Sequence, residues 1–158
     1  MDSWLIYGKG GHAQVIADAI LKKDSSATVE YFEDRDFPYN AEFNAAVPLI
    51  IGIGNNEVRK RISKTISHSF ATIIHPSAQI ATDVIIGEGT VVFANAVIQT
   101  GTVIGKHCII NANSTIDHDV IIEDFVSVYP GVYVGGGALI STGKTLDANQ
   151  VIARNATL

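Results

Sequence analysis

The stretch "VIIGEGTVVFANAVIQTGTVIG", residues 84–105, places a branched aliphatic residue at every sixth position. The same spacing continues on both sides, from Ile74 to Leu158, and every member of the series is Ile, Val or Leu. An α-helix repeats every 3.6 residues and a half-buried strand every two, so neither explains a period of six. A hexapeptide repeat is typical of a parallel β-helix, in which each repeat forms one side of a prism and three repeats close one coil.

A second series lies four residues after the first and consists mostly of small or β-branched side chains, with Lys144 and Gln150 as exceptions. We predict that both series point into the prism. The roughly 85 residues from Ile74 onward then form nearly five stacked coils. Cys108 belongs to the second series, so we interpret it as a packed thiol rather than a nucleophile.

The first 70 residues follow a different pattern. Short apolar runs at 4–7, 28–34 and 47–54 predict strands, and amphipathic segments at 8–23 and 55–66 predict helices. The order strand, helix, strand, strand, helix is typical of a small α/β unit with a parallel sheet. We therefore predict two domains: a small Rossmann-like α/β unit over 1–70 and a parallel β-helix over 71–158.

The composition argues against several classes of binding partner and of cellular environment. The net charge of −5 provides no uniform positive field, so we expect no nucleic-acid partner. The single cysteine excludes an internal disulfide and a multi-cysteine metal site, and it fits a reducing compartment. The start "MDSWLIYGKGG" resembles neither a signal peptide nor a membrane span. We expect a cytoplasmic protein without a membrane span.

A glycine turn precedes the first predicted helix. Gly8, Gly10 and Ala13 fit the dinucleotide fingerprint G-x-G-x-x-G/A, with Asp34 at the end of the second predicted strand. Because the unit is only about half a dinucleotide fold, a mononucleotide fits it better than NAD. The alternative is that the glycines only permit tight turns. The predicted substrate-binding residues, at this turn and at the start of the second helix, are Gly8, Lys9, Gly10, Gly11, His12, Asp34, Gly54, Asn55 and Arg59.

An Asp-His-Asp cluster, residues 117–119, interrupts the repeats. An 18-residue coil stacks these three residues under Gly135–Gly137, and His118 points outward because it lies two residues after the inward Ile116. A carboxylate beside an imidazole can orient it as a general base, although a solvated surface histidine is the alternative. The other histidines show no mutual spacing for zinc, so we predict no metal.

Five segments resemble one family of proteins: "YGKGGHAQVIADAI", "IGIGNNEVRKRI", "IIHPSAQI", "INANSTIDHDVII" and "PGVYVGGG". They are similar to the bacterial sialic acid O-acetyltransferase and UDP-4-amino-sugar N-acetyltransferase group, which belongs to the hexapeptide-repeat acyltransferases. The resemblance covers nearly the whole chain. It implies a left-handed β-helix, acetyl-CoA as co-substrate, a nucleotide-sugar held by the N-terminal unit, and a homotrimer with active sites between neighbouring subunits.

The resemblance also implies roles for individual residues. His118 matches the general base of the family, Asp119 the acid that orients it, and Asn111 an active-site amide. Gly136 and Gly137 match backbone contacts to the pantetheine arm of the cofactor. Ser127 is a departure, because many relatives carry a second histidine nine residues after the base. A second departure is that the repeats stop at Leu158, where relatives usually continue.

The resulting expectation is acetyl-CoA-dependent N-acetylation of a nucleotide-activated amino sugar, a UDP-4-amino-4,6-dideoxy sugar by resemblance, for surface glycan biosynthesis. Transfer would be direct, with a histidine base and no covalent enzyme intermediate. Three alternatives stay open: a catalytically impaired nucleotide-sugar-binding or scaffolding protein, a sialic acid O-acetyltransferase, and a metal-dependent β-helix enzyme of the carbonic anhydrase type. The histidine spacing counts against the last of these.

Overall fold

The structure, a computed structural model, describes residues 3–158, so the first two residues of the predicted domain 1–70 lie outside it. The N-terminal unit contains, in chain order, β1 (Ser3–Tyr7), α1 (Gly11–Lys23), β2 (Thr28–Phe32), β3 (Leu49–Ile51) and α2 (Asn56–Ser63). Its strands are parallel, in the order β2-β1-β3. The predicted strand-helix-strand-strand-helix order is confirmed.

Strand β1 shows why this small sheet is stable. Successive side chains of a strand point to opposite faces, and both Leu5 and Ile6 are fully buried. Ile6 packs in the cluster that contains the α1 residues Ile16 and Ile20. Leu5 packs on the other face, in a cluster with Phe32. The sheet therefore has an apolar core on each side, as a central parallel strand requires.

The rest of the chain forms a parallel β-helix of two-residue strands. The strands stack into three flat faces of five, five and four strands, each paired with the strand 18 residues later. Their bounds are Ile73–Ile74 (β4), Gln79–Ile80 (β5), Ile85–Ile86 (β6), Val91–Val92 (β7), Val97–Ile98 (β8), Val103–Ile104 (β9), Ile109–Ile110 (β10), Thr115–Ile116 (β11), Ile121–Ile122 (β12), Ser127–Val128 (β13), Tyr133–Val134 (β14), Leu139–Ile140 (β15), Thr145–Leu146 (β16) and Val151–Ile152 (β17).

Both predicted series of inward residues line the interior. The sixfold aliphatics and the small column, including Cys108, form one continuous apolar cluster. Polar members of the small column bond to backbone: the Thr90 hydroxyl donates to the Gly105 carbonyl at 2.8 Å. Burial without such a partner would cost free energy. Lys144 and Gln150, the two exceptions in the sequence, are exposed.

The N-terminal unit packs on one face of the prism, formed by β4, β7, β10, β13 and β16, which we call the covered face. Apolar side chains of α1 share a cluster with Ile73, Val91 and Ile109 on this face. The two remaining faces meet at an edge built from the turns 81–84, 99–102, 117–120, 135–138 and 153–156. We call this the histidine edge, because it carries His118. An edge between two faces of a three-sided prism lies opposite the third, so the histidine edge points away from the N-terminal unit.

Candidate active site

His118 lies in the turn between β11 and β12. Asp119 follows it with a φ of 59°, in the left-handed region, which Asp tolerates better than most residues. The Asp119 N–H donates to the Thr100 carbonyl below, and the His118 carbonyl accepts from the Gly137 N–H above, both at 3.0 Å. Stacked turns therefore hold the backbone of this residue on both sides.

The imidazole of His118 is oriented by the neighbouring carboxylate. Its Nδ1 lies 2.7 Å from Oδ2 of Asp119. An ionised carboxylate only accepts hydrogen bonds, so Nδ1 donates and Nε2 keeps its lone pair. The His118 side chain is 35% exposed, which leaves the ring in contact with solvent. This is the arrangement of a general base that a carboxylate holds in one tautomer.

Gly136 leaves room for the imidazole, as the 18-residue register predicts. A Cβ at this position would lie 2.9 Å from Nε2 of His118 and 3.2 Å from its carbonyl oxygen. Any side chain here would push on the ring and cover its free nitrogen. The N–H groups of Gly135 and Gly137 already donate to Ile152 and His118 carbonyls at 2.9 and 3.0 Å. Gly135 and Gly136 are themselves buried and Gly137 is exposed, so this turn offers a ligand a surface without side chains only at Gly137.

Asp117 is a further member of the site that the sequence reasoning did not assign. Its Oδ1 accepts from the backbone N–H of His118 at 2.8 Å, and its Oδ2 accepts from the Tyr133 hydroxyl at 3.0 Å. The His118 N–H, then the Tyr133 hydroxyl, lower the pKa of Asp117. The hydrogen bond from the Tyr133 hydroxyl to Asp117 in turn raises the pKa of Tyr133. The 18-residue register places Tyr133 above Thr115, two residues before Asp117, so this pairing could have been found from the sequence.

Asn111 does not join His118 within one chain. It lies in the turn between β10 and β11, at a different edge of the prism. Its side-chain oxygen accepts from the Ala112 N–H at 2.9 Å. Its role in the active site stays a prediction.

The N-terminal unit has a cavity of about 270 Å³ at the carboxyl ends of its strands. Its lining residues are Tyr7, Gly8, Lys9, Glu33, Asp34, Arg35 and Ile53. This is the edge at which parallel sheets bind ligands, and it contains three of the predicted substrate-binding residues. The other four lining residues, Tyr7, Glu33, Arg35 and Ile53, were not predicted.

Gly8 and Asp34 shape this cavity. Gly8 is buried with a φ of 103°, and a Cβ there would lie 2.8 Å from the Ile53 side chain, so the turn requires glycine. Asp34 accepts from the Tyr7 hydroxyl at 2.5 Å through one oxygen. Burial, followed by this hydrogen bond, raises the pKa of Tyr7 to about 12. Tyr7 therefore stays a donor at neutral pH and fixes the carboxylate in the cavity.

The two predicted helix starts differ. No side chain caps α1 at Gly10, and open space surrounds the Cβ positions of Gly10 and Gly11, so the first backbone N–H groups of this helix face open space. Gly54 is also open, but Asn55 caps α2 by accepting from the Val58 N–H at 3.0 Å. Its side-chain oxygen is thus already used within the chain. The start of α1 is the better anion site of the two.

His12 packs against the β-helix and does not line the cavity. Its ring meets the Phe93 ring edge-on at 5.7 Å between centroids. Burial, with a smaller contribution from the Arg59 charge, lowers its pKa to about 4. Its Nε2 is buried and has no hydrogen-bond partner among residues 3–158. The structure therefore places His12 at the junction of the two domains.

The prediction that Arg59 binds substrate needs correction. Arg59 is 1% exposed and its guanidinium is saturated by the protein itself. Nε donates to the His107 carbonyl at 2.8 Å, Nη1 to the carbonyls of Ile53 and Gly54 at 3.0 Å, and Nη2 to Asn56 Oδ1 at 2.7 Å and to the Phe125 carbonyl at 3.4 Å. Arg59 thus bridges α2 and the covered face, and it has no donor left for a ligand.

Ser127 belongs to the same bridge. It is 1% exposed, and its hydroxyl donates to Asn56 Oδ1 at 2.6 Å. Position 127 lies on the covered face, away from the histidine edge. In this chain the serine therefore serves domain packing and does not contact His118.

Two further properties of the part of the chain that the structure describes concern metal binding and membrane spanning. Between residues 3 and 158, no group of three or more His, Cys, Asp or Glu side chains is arranged to hold a metal ion. No helix in the same range is long and apolar enough to cross a membrane.

Comparisons with known proteins bear on both halves of the chain. Residues 4–66 match the family model of the PglD N-terminal domain, and residues 86–118 match the bacterial transferase hexapeptide model, which covers six repeats. A curated relative, UDP-N-acetylbacillosamine N-acetyltransferase of Bacillus subtilis (strain 168), is 32% identical over 109 residues. The match covers 57% of this chain and spans about half the length of that relative, 50%.

Solved structures extend the likeness to the whole chain. The acetyltransferase domain of PglB from Neisseria gonorrhoeae FA1090 superposes with a TM-score of 0.89 at 26% identity, over 99% of this chain and 85% of that one. The same domain in complex with acetyl coenzyme A also superposes with a TM-score of 0.89, over 98% of this chain and 83% of that one. A mutant of perosamine N-acetyltransferase from Caulobacter crescentus, with a TM-score of 0.64 at 22% identity over 97% and 92%, shares the fold.

These likenesses confirm the predicted fold class, an α/β unit followed by a left-handed parallel β-helix. The glycine turn lies within the first matched segment, and the second matched segment ends at His118, inside the histidine turn. The chain therefore combines a segment that matches the PglD N-terminal domain with bacterial transferase hexapeptide repeats, and over nearly its whole length it is similar to the acetyltransferase domain of PglB.

Proposed function

We propose that this chain transfers the acetyl group of acetyl-CoA to the amino group of a nucleotide-linked sugar. The observation that carries the proposal is the His118 imidazole, held through Nδ1 by Asp119 and open at Nε2 against Gly136. The curated relative is named for N-acetylation of a UDP-linked sugar, and a solved relative is a complex with acetyl-CoA. Both support this chemistry.

The reaction needs one proton to be moved. As the acceptor nitrogen attacks the thioester carbonyl, a C–N bond forms, the C–S bond breaks and the nitrogen loses a proton. Nε2 of His118 accepts that proton, and Asp119 stabilises the imidazolium; the proton then passes to the departing CoA thiolate. Histidine suits this task near neutral pH.

A covalent enzyme intermediate is not part of the proposal. Cys108 is fully buried in the prism, and burial raises the pKa of its thiol to about 12. A thiol in this state is a poor nucleophile, because the thiolate is the reactive form. Direct transfer to the acceptor therefore fits the site better than an acyl-cysteine.

The two substrates have separate surfaces. The side-chain-free turn at Gly136 and Gly137 leaves space beside Nε2 for the acetyl-bearing arm of acetyl-CoA. The cavity beside Gly8, Lys9 and Asp34 accepts the nucleotide, with its diphosphate at the open N-terminus of α1. A UDP-4-amino-4,6-dideoxy sugar, destined for a surface glycan, is the acceptor that we propose.

Geometry supports a homotrimer with shared sites. Within one chain, the nucleotide cavity belongs to the unit on the covered face, whereas His118 lies on the opposite edge. A second copy is needed to bring a histidine to the sugar. The face of β6, β9, β12 and β15 carries an outward apolar stripe in which Ile85 is 62% exposed, Val103 38% and Ile121 49%. An exposed apolar stripe of this kind marks an interaction surface.

The test is CoA thiol release from acetyl-CoA with a panel of acceptors: UDP-, GDP- and CMP-linked amino sugars and free sialic acid. We expect release with a UDP-linked 4-amino sugar. We expect His118→Ala to lower kcat by about 10²–10⁴-fold, the range for loss of a general base. The matched control is His75→Ala, which removes another turn histidine of the β-helix that bonds locally, through Nδ1 to the Ser77 hydroxyl at 2.8 Å.

Other results would assign other functions. Release only with sialic acid would assign the O-acetyltransferase alternative. Nucleotide-sugar binding without release from any acceptor would assign a binding or scaffolding role. Equal kcat for wild type and His118→Ala would remove the histidine from the mechanism.

A further inference from the structure

The histidine turn contains two carboxylates, and only one of them touches the imidazole. Asp119 holds Nδ1 of the ring. Asp117, on the other side of His118, holds the backbone N–H at 2.8 Å. The proposed mechanism uses Asp119 and leaves Asp117 without a role.

Tyr133 fixes Asp117 from the next coil. It points outward from β14, is 40% exposed, and its hydroxyl donates to Oδ2 of Asp117 at 3.0 Å. Both Asp117 oxygens are thus engaged, one by the turn that carries the base and one by the coil above it. A tyrosine that served only packing on this exposed face would not need its hydroxyl.

The chain contains a similar bond elsewhere that serves for comparison. Glu123 accepts from the backbone N–H and the hydroxyl of Thr142, both at 2.8 Å, and so also joins successive coils at an exposed turn. That turn lies at another edge of the prism, away from His118. Both pairs, Glu123–Thr142 and Asp117–Tyr133, connect successive coils. Only Asp117 also bonds to the backbone of the proposed base, His118.

We infer that Asp117 and Tyr133 are positioning residues for the acetyl transfer: they clamp the backbone of His118 so that its imidazole stays between the acceptor nitrogen and the thioester. This inference rests on the proposed function. A misplacement of about 1 Å at a reacting group can cost on the order of 10²-fold in rate. The clamp acts through His118 and contacts neither substrate, so its loss lowers kcat and leaves KM for both substrates unchanged.

The test is steady-state kinetics of Tyr133→Phe, Asp117→Ala and Asp117→Asn. We expect kcat to fall by about 10-fold for Tyr133→Phe and by about 10²-fold for Asp117→Ala, with both KM values within twofold of wild type. Asp117→Asn keeps an oxygen for the His118 N–H, so it should recover most of the activity that Asp117→Ala loses. Thr142→Val is the matched control, and we expect wild-type kcat for it.

Each other outcome has a defined meaning. Unchanged kcat in Tyr133→Phe and Asp117→Ala, with an active wild type, overturns the clamp and leaves the proposed function intact. A raised KM for the sugar at unchanged kcat also overturns it, because Tyr133 would then bind substrate. Equal losses in Thr142→Val and Tyr133→Phe overturn it as well, because the effect would then come from general contact between coils. No turnover in wild type overturns the proposed function and the clamp together.

Discussion

His107 and His118 both lie in turns of the β-helix, yet their surroundings give them opposite properties. His107 is 4% exposed, its ring stacks on Phe125 at 5.0 Å between centroids, and burial lowers its pKa to about 4. His118 is open to solvent and bonded to a carboxylate. The difference follows from the N-terminal unit, because α2 packs over the His107 turn, where Arg59 bonds to the His107 carbonyl, and leaves the histidine edge free. The same prism thus uses one histidine for packing and has the other available for chemistry.

A mutation at the covered face should change the stability of the protein. Arg59→Met removes the charged donor from several buried carbonyls, and hydrogen bonds to charged groups contribute about 1.5–3 kcal/mol. We expect a loss of about 3 kcal/mol in the free energy of unfolding, measured by urea denaturation. Arg61→Met, an exposed position on the same helix, is the control and should be nearly neutral. A neutral Arg59→Met would show that the domains pack without the bridge.

A mutation at the histidine edge should change the activity instead. Gly136→Ala places a methyl group 2.9 Å from Nε2 of His118, so the ring must shift and its free nitrogen becomes covered. We expect kcat to fall by about 10–100-fold, with a small change in melting temperature. Wild-type kcat in this variant would show that acetyl-CoA does not approach along the Gly136 surface.

The smallest effect is a difference in acid stability. The lowered pKa of His107 means that the unfolded chain binds a proton more readily than the folded one. The stability that comes from the neutral ring is therefore complete above the ordinary pKa near 6.5 and is lost as the pH falls towards 4. His107→Phe should remove this loss, which we expect to be roughly 2 kcal/mol between about pH 7 and about pH 5.

Phenylalanine is tolerated in this column, because Phe125 occupies the equivalent position one coil later with a φ of 60°, against 54° for His107. Thermal melts of wild type and variant at both pH values measure the effect. An identical pH dependence in the two proteins would contradict the assignment to His107.

The fold could be predicted in detail because its signal is local. A period of six determines which residues point inward, and three repeats per coil determine that Gly136 lies above His118. The cap of α2 could also be predicted, since Asn55 lies just before the first helical residue. Each of these features depends on neighbours in sequence or on a fixed offset.

The features that were missed depend on how the two domains pack. Nothing in "NNEVRKRI" shows that Arg59 is buried while Arg61 is exposed, because the covered face is distant in sequence. The same holds for His12, which lies beside Phe93 and outside the cavity. The Asp117–Tyr133 pair is a different case. The register would have allowed their proximity to be predicted, but only the side-chain geometry shows that one carboxylate holds a backbone N–H.

The 18-residue register also limits how such a chain can change in length. An insertion of six residues within the β-helix before position 117 would rotate everything after it by one face, and the histidine would move to a different edge. An insertion of eighteen would keep every side chain on its own edge and raise the histidine by one coil, about 4.8 Å. Within the β-helix, gains and losses of sequence upstream of this turn are therefore compatible with the present site only in whole coils. The distance between the base and the nucleotide cavity can thus change only in discrete steps.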